Sequence, residues 1–248
     1  MRKKPKTAFF TGILLTFTLT FHIIKFMETY LIKEDIISRN NEKAKDVRSL
    51  LEGKGVFYIN LMSSPGAGKT TLLSKLIPLL SGELRTGVIE ADIDSDKDAL
   101  AIERETGVRV IQMHTGGACH ITCQMSLEAL EALGTDGLDL IFLENIGNLV
   151  CPAEFDTGAD MNLVLLSVPE GDDKPLKYPL MFEVANAVAV TKLDVAPVFD
   201  FSGDTAVGNI KKRNKNAKIF FTCAKDGTGV EELAQYIREQ AVKKIRKD

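Results

Sequence analysis

Residues 63–73 read SSPGAGKTTLL, directly after the apolar run VFYINLM at 56–62. The pattern is that of a phosphate-binding loop, G-x-x-x-x-G-K-[ST], with Ser63 standing where the first glycine is expected. Gly66 and Gly68 let backbone N–H groups crowd around phosphates, with Ser64, Ala67 and Thr71 completing the cradle. Lys69 supplies a point charge to the outer phosphates, and Thr70 offers its hydroxyl to magnesium. A helix opening here also presents its positive end to the anion. Strand, loop, Lys-Thr and helix follow in the required order. That order favours a nucleotide site over a chance glycine turn.

Outward from this loop, strand-like runs recur: GVIEA at 87–91, VRVIQM at 108–113, LDLIFLE at 138–144, MNLVLLSV at 161–168, NAVAVT at 186–191 and AKIFFT at 217–222. Helical patterns separate most of them, and the strands are apolar throughout rather than alternating. This predicts an α/β fold, a mainly parallel sheet with helices on both faces, in which ligands bind at the carboxyl ends of strands. Upstream, residues 35–52 space Ile36, Ile37, Val47, Leu50 and Leu51 around polar residues as an amphipathic helix would, closed by Gly53 and Gly55. The expected organisation is a hydrophobic extension at 1–26, a helical segment at 27–54 and a P-loop domain at 55–248.

Of the 248 residues, 45% are hydrophobic and 26% charged, the balance of a folded globular chain. A formal net charge of −3 gives no global basic field, which argues against nucleic acid as a partner. Four cysteines do not form the framework of a small secreted domain, so reduced thiols and a cytoplasmic location are expected. The first 26 residues depart from this picture. Arg2, Lys3, Lys4 and Lys6 precede an 18-residue run, Thr7 to Ile24, without an acidic residue. A signal peptide or membrane anchor would look similar, but the run holds five threonines and His22 and lacks an A-x-A-like cleavage site. An over-extended start, with the chain beginning at Met27, is the favoured expectation, and a membrane role is not.

Two later segments point to the base. TKLD at 191–194 follows one strand, and TCAK at 222–225 follows the next. They resemble the NKxD and SAK elements of GTPases, in which the aspartate accepts from guanine N1 and N2 and the lysine stem covers the ring. Thr191, Lys192, Asp194, Ala224 and Lys225 are therefore candidate nucleotide-binding residues, with Thr191 and Cys223 departing from the usual asparagine and serine. Adenine offers no such donors to Asp194. A helix-capping Asp194 and a surface Lys225 are the competing explanation.

The switch elements follow. Asp92, just past the second strand, stands within range of a magnesium ion held by Thr70. Glu144 ends another strand with Gly147 three residues on, similar to the DxxG switch but with glutamate substituted; the acid reaches the magnesium shell and the glycine N–H meets the γ-phosphate. Lys69, Asp92 and Glu144 are thus the candidate catalytic groups. No glutamine follows Gly147 to orient the attacking water, so slow intrinsic hydrolysis is expected.

The stretch TGGACHITC at 115–123 leaves its chemistry open on local grounds: a metal site, a redox pair, a nucleophile or the capped start of a buried helix. Thiolate with imidazole suits borderline ions such as nickel and zinc. Adjacent helical residues would point about 100° apart, so Cys119 and His120 need a loop or helix start and further ligands from elsewhere. Cys151, four residues past Gly147, is the obvious recruit. Cys123 could join the site, pack inward or form a disulfide, and His114 reads as structural.

Taken together, SSPGAGKTTLL, VIEADI at 88–93, GGACH at 116–120, ENIGNLVCPAEFDTGAD at 144–160 and VPEGDDKPLKYP at 168–179 resemble the hydrogenase nickel-incorporation GTPases, the HypB family of metallochaperones. The resemblance implies a GTPase using GTP/GDP and magnesium, with nickel or zinc held by Cys119, His120 and Cys151. It also implies a homodimer in the GTP state with that trio contributed by each chain, a HypA-type zinc-containing nickel chaperone as partner, and a nickel-iron hydrogenase large-subunit precursor as recipient. Asp172 and Lys174 look like the family's loop near the phosphates, the lysine acting across the dimer; a solvated charged turn is the alternative. Residues 1–62 contain no cysteine and only His22, which puts a separate N-terminal nickel site in doubt. Urease accessory GTPases share the scaffold, but their cysteine-proline-histidine motif is absent. A GTP-dependent interaction switch with structural zinc is the other class of function, and a P-loop kinase ranks last.

Overall fold

The apolar runs form seven parallel strands in one sheet, ordered β3-β2-β4-β1-β5-β6-β7, in a computed structural model that describes residues 35–245. The strands are β1 (Phe57–Ser63), β2 (Thr86–Asp92), β3 (Arg109–His114), β4 (Leu140–Glu144), β5 (Met161–Ser167), β6 (Ala187–Thr191) and β7 (Lys218–Phe221). Both faces of the sheet are covered. Central β1 is buried along its whole length, as a strand under helices on both faces must be, whereas the edge strands β3 and β7 are only half-buried.

The chain divides into two compact units, Met1–Arg39 and Asn40–Asp248. Of the first, residues 35–39 are described and are helical; in the second, the helix α1 comprises residues 40–52. Helices α2 (Lys69–Leu80), α3 (Lys97–Thr106) and α9 (Val230–Ile245) accompany an apolar core that includes Leu61, Leu76, Phe142 and Ile237. The opposite face packs Val47 and Leu51 of α1 with Tyr58, Ile141 and the Cys123 and Leu130 of α4 (Cys123–Leu133). A third cluster joins Val164 and Val188 to Phe182 of α7 (Pro179–Glu183) and Ile210 of α8 (Gly203–Arg213). Between these lie the short turns α5 (Cys151–Glu154) and α6 (Lys174–Lys177).

Strand β1 lies between β4 and β5, the point where the order of connections reverses. Clefts open beyond the carboxyl ends of strands at such a point. The loop at 63–68 and Glu144 at the end of β4 meet there. Among the described residues no helix is long and apolar enough to cross a membrane; the hydrophobic run at 7–24 lies outside them.

Candidate nucleotide and metal site

The phosphate loop ends in a helix start without a capping side chain. Gly68, at φ 97°, turns the chain into α2 and accepts no side-chain role there. The first N–H groups of a helix have no partner within it, so those of Lys69 to Thr71 are left for an anion. The helix begins at Lys69. Thr191 Oγ1 donates to the carbonyl of Ala67 at 2.8 Å, and Lys192 Nζ donates to that of Gly66 at 2.6 Å. Lys192 has φ 61°, the left-handed region, a strained setting for a side-chain-bearing residue that recurs at ligand-contacting turns. Ser64 donates to the Glu170 carboxylate, whose second oxygen accepts from Ser167 N–H and Oγ at 2.8 and 2.7 Å.

Two adjoining cavities use this loop. One, of about 240 Å³, is lined by Gly68, Thr71, Thr191, Lys192, Asp194, Cys223, Ala224 and Lys225 among others, so the TKLD and TCAK segments share one pocket. The Lys225 ammonium stands 3.5 Å from the Asp194 carboxylate. The other, of about 470 Å³, holds Lys69, Thr70, Asp98 and Glu144. Lys174, at the start of α6, lines neither; its ammonium lies 5.2 Å from the Tyr178 ring centre, and Asp172 accepts from Ser202 N–H at 2.9 Å.

Glu144 is 2% exposed and accepts from Thr70 Oγ1 at 2.9 Å, with Lys69 Nζ at 3.9 Å. Burial pushes its carboxyl up to about 7 against the opposing pull of Lys69. Across the sheet register Glu90 pairs with Glu144, and Glu90 is pushed up to about 8, by burial first and by Glu144 second. Carboxylate oxygens of Glu90, Asp98 and Glu144 lie within 4.8 Å of one another. The Oε2 atoms of Glu90 and Glu144 are buried without a hydrogen-bond partner. Buried, unpartnered acid oxygens are costly unless neutral or facing a cation, so these residues fit a hard divalent ion such as magnesium. Asp92 stands outside that cluster. Its Oδ1 accepts from Asp94 and Ser95 N–H at 3.0 and 2.8 Å, closing its own turn.

Glu90 and Asp98 are additions to the sequence-based set. An acid inside the otherwise apolar run GVIEA is itself a signal for Glu90. Asp98 carries none, because only the placement of α3 brings its first turn back to the end of β4.

Gly147 lies against the phosphate loop. A Cβ built there would fall 2.8 Å from Pro65 Cα and 2.9 Å from Pro65 N, so no side chain fits without backbone movement. Four residues on, Cys151 opens α5. Ligand atoms of Cys119, His120 and Cys151 all lie within 4.8 Å of one another. Cys119 Sγ is 3.7 Å from His120 Nδ1, and the imidazole stacks on Phe155 with ring centres 3.8 Å apart. Cys119 is exposed, and its thiol is raised chiefly by hydrogen bonding with Cys151.

Cys123 turns the other way. It is buried, its thiol donates to the carbonyl of Asp156 at 2.9 Å, and its N–H donates to Asn40 Oδ1 at 2.8 Å. Thr122 caps the helix that follows. All four cysteines are free thiols, so neither the disulfide nor a place for Cys123 in the metal cluster is observed. His114 is exposed at the end of β3, opposite Asp92.

The model of the CobW/HypB/UreG nucleotide-binding domain matches residues 57–221. Hydrogenase maturation factor HypB of Azotobacter chroococcum is 42% identical over 217 residues, 87% of this chain and 70% of that protein. The chain belongs to the HypB family. Hydrogenase/urease maturation factor HypB of Helicobacter pylori is 39% identical over 213 residues, 84% of this chain and 87% of that one. The crystal structure of HypB from H. pylori in complex with nickel superposes with a TM-score of 0.78 at 37% identity, covering 83% of this chain and 96% of that one. A signal recognition particle receptor FtsY bound to GDP, at TM-score 0.53 and 15% identity, shares the fold. HypB-family membership thus rests on most of the described domain, and the phosphate loop, Glu144, Gly147 and the Cys119–His120–Cys151 cluster all fall inside the matched span.

Proposed function

We propose that this HypB-family chain is a GTP-hydrolysing nickel metallochaperone for maturation of nickel-iron hydrogenase, in which the nucleotide state sets the hold on nickel. The observation that carries the reading is the convergence of Cys119, His120 and Cys151, with Cys151 four residues from a glycine packed on the phosphate loop. The nickel complex of the H. pylori relative supports nickel as the cargo.

Asp194 accepts from the guanine N1 and N2 groups, and Lys192 and Lys225 flank the ring in the smaller cavity. Lys69 and the free N–H groups at the start of α2 bind the outer phosphates. Thr70, Glu144 and Asp98, with Glu90 behind them, would hold magnesium, which supplies charge neutralisation at the β- and γ-phosphate oxygens. The γ-phosphate draws on the Gly147 N–H, and the segment from Gly147 to Cys151 follows. Hydrolysis removes that anchor and loosens the nickel cage. Nothing in the Gly147 segment supplies a water-orienting glutamine, so turnover is slow unless a partner contributes a group.

The GTP-bound form is a homodimer with a trio from each chain, and a HypA-type zinc protein and the hydrogenase large-subunit precursor are its partners. Lys174, outside both cavities of its own chain, is available to act across that dimer.

Cys119→Ser tests the reading. Hydrolysis within about twofold of the parent together with lost nickel binding is expected, since a thiolate ligand is removed and the phosphate machinery is untouched. Structural zinc predicts instead that folding and hydrolysis fail together.

A further inference from the structure

The loop that carries Cys119 and His120 is tied at its start to the end of β2, where the Thr115 N–H donates to the carbonyl of Asp92 at 3.0 Å. Within it, Thr115 Oγ1 donates to the carbonyl of Ala118 at 2.9 Å, and the Ala118 N–H donates back to Thr115 at 3.2 Å. Both bonds are internal. Among the described residues, the hydrogen bond that ties the backbone of Gly116–His120 to another element is from Asn148 Nδ2 to the Cys119 carbonyl, at 3.3 Å. Oδ1 of the same side chain accepts from Val150 N–H at 2.8 Å and so closes the turn that delivers Cys151. Asn148 follows directly on Gly147, whose backbone lies against Pro65 of the phosphate loop.

One amide thus bonds the backbone of Cys119 and of Val150, the neighbour of Cys151, and follows the glycine packed on the phosphate loop. We infer that Asn148 is a positioning residue that transmits the nucleotide state to the Cys119 side of the cluster, so that metal affinity follows the bound nucleotide. The inference rests on the metallochaperone reading above. When Gly147 shifts with the γ-phosphate, Cys151 moves because it is in the same segment; Cys119 moves with it because the Nδ2 donor holds its carbonyl. Without the donor, Cys151 alone responds. The stacking of His120 on Phe155 is a different kind of tie, an apolar contact that orients the ring. It lies beyond Cys151 from Gly147.

Asn148→Asp separates these roles, because it keeps an acceptor for the Val150 N–H and removes the donor to Cys119. Asn148→Ala removes both and guards against an effect peculiar to the added charge. The experiment is a nickel titration of the full chain, wild type and both variants, with GDP and with a nonhydrolysable GTP analogue. Melting temperature and sedimentation are recorded for each to establish folding and dimer formation. The readout is the ratio of nickel affinities in the two nucleotide states. A neutral hydrogen bond has a net worth corresponding to roughly threefold to tenfold, so that ratio should fall by at least about threefold in both variants. Hydrolysis should stay near that of the parent. A merely structural contribution would weaken binding equally in both states and leave the ratio unchanged, which overturns the inference. A wild type whose affinity ignores the nucleotide overturns the underlying coupling itself, and that result is visible before any variant is made.

Discussion

Cys119 and Cys123 stand four residues apart and occupy opposite environments. Burial pushes the Cys123 thiol up to about 12, with the Asp156 carboxylate adding to the effect, so at pH 8 almost none of it is thiolate. Cys119 is exposed. Iodoacetamide should therefore label Cys119 at least about a hundredfold faster than Cys123 in the folded protein, a gap that closes on unfolding. Peptide mapping checks this, and early label on Cys123 would contradict it. The spacing C-x-x-x-C could not have told them apart. What separates them is Asn40 and Asp156, distant in sequence and bonded to Cys123. Glu90 gives a second expectation at this scale. Its folded carboxyl is raised to about 8 and that of Glu144 to about 7, against an ordinary 4.5. The folded chain therefore holds protons that the unfolded chain releases. The stability from the neutral acids is complete below about pH 4.5 and is lost as the pH rises through about 7 and 8. Melting of the metal-free protein should fall between pH 6 and 9, and Glu90→Gln should flatten that fall. An equal slope in parent and variant would mean that Glu90 is not the source.

At the scale of elements, periodicity and order were enough for the strands, because each run is apolar on both faces and each is followed by its turn residues. The strand bounds agree with the sequence to within one or two residues for β3, expected at 108–113 and found at Arg109–His114. That the phosphate loop and the TKLD and TCAK segments belong together was equally legible, since motif order along the chain survives folding and brings them to one pocket. The acidic cluster was not. Asp92 occupies the end of β2 as expected, with its Oδ1 accepting within its own turn, and Asp98 on the next helix is the acid that joins Glu90 and Glu144. Such an exchange depends on how α3 packs, which no local pattern encodes. Gly147→Ala tests the contact between switch and loop. Its Cβ would collide with Pro65 backbone, so we expect a stability loss of roughly 1–3 kcal/mol, typical of overpacking, and weaker GTP-analogue binding with GDP binding less affected. Denaturant titration and nucleotide displacement measure the two parts. In the TKLD turn, Asp194→Asn exchanges an acceptor for a donor. GTP affinity should drop at least about tenfold while xanthosine triphosphate, which presents an acceptor in place of the guanine amino group, gains; a bidentate pair carries about 1–3 kcal/mol of base discrimination. Equal loss for both nucleotides would remove Asp194 from the base pocket.

For the whole molecule, the fold gathers two donor sets: a hard-oxygen set, Glu90, Asp98 and Glu144, which the proposal gives to magnesium, and a soft thiol-imidazole set, Cys119, His120 and Cys151, which it gives to nickel. They are separated by the segment from Gly147 to Cys151, and that short span is the only covalent route needed between them. On the proposed reading the second trio comes from another copy of the chain, and the cage closes in the dimer. On the proposed reading the nucleotide governs the hold on nickel. It is tested most directly by titrating nickel into the full chain loaded with GDP and with a nonhydrolysable GTP analogue, reading affinity and stoichiometry together. Coupling between sites typically amounts to about fivefold to about 150-fold. Affinities should differ by at least about fivefold between the two nucleotides, with nickel bound between two chains in the GTP-analogue state. Equal affinity and one nickel per isolated chain in both states would contradict it.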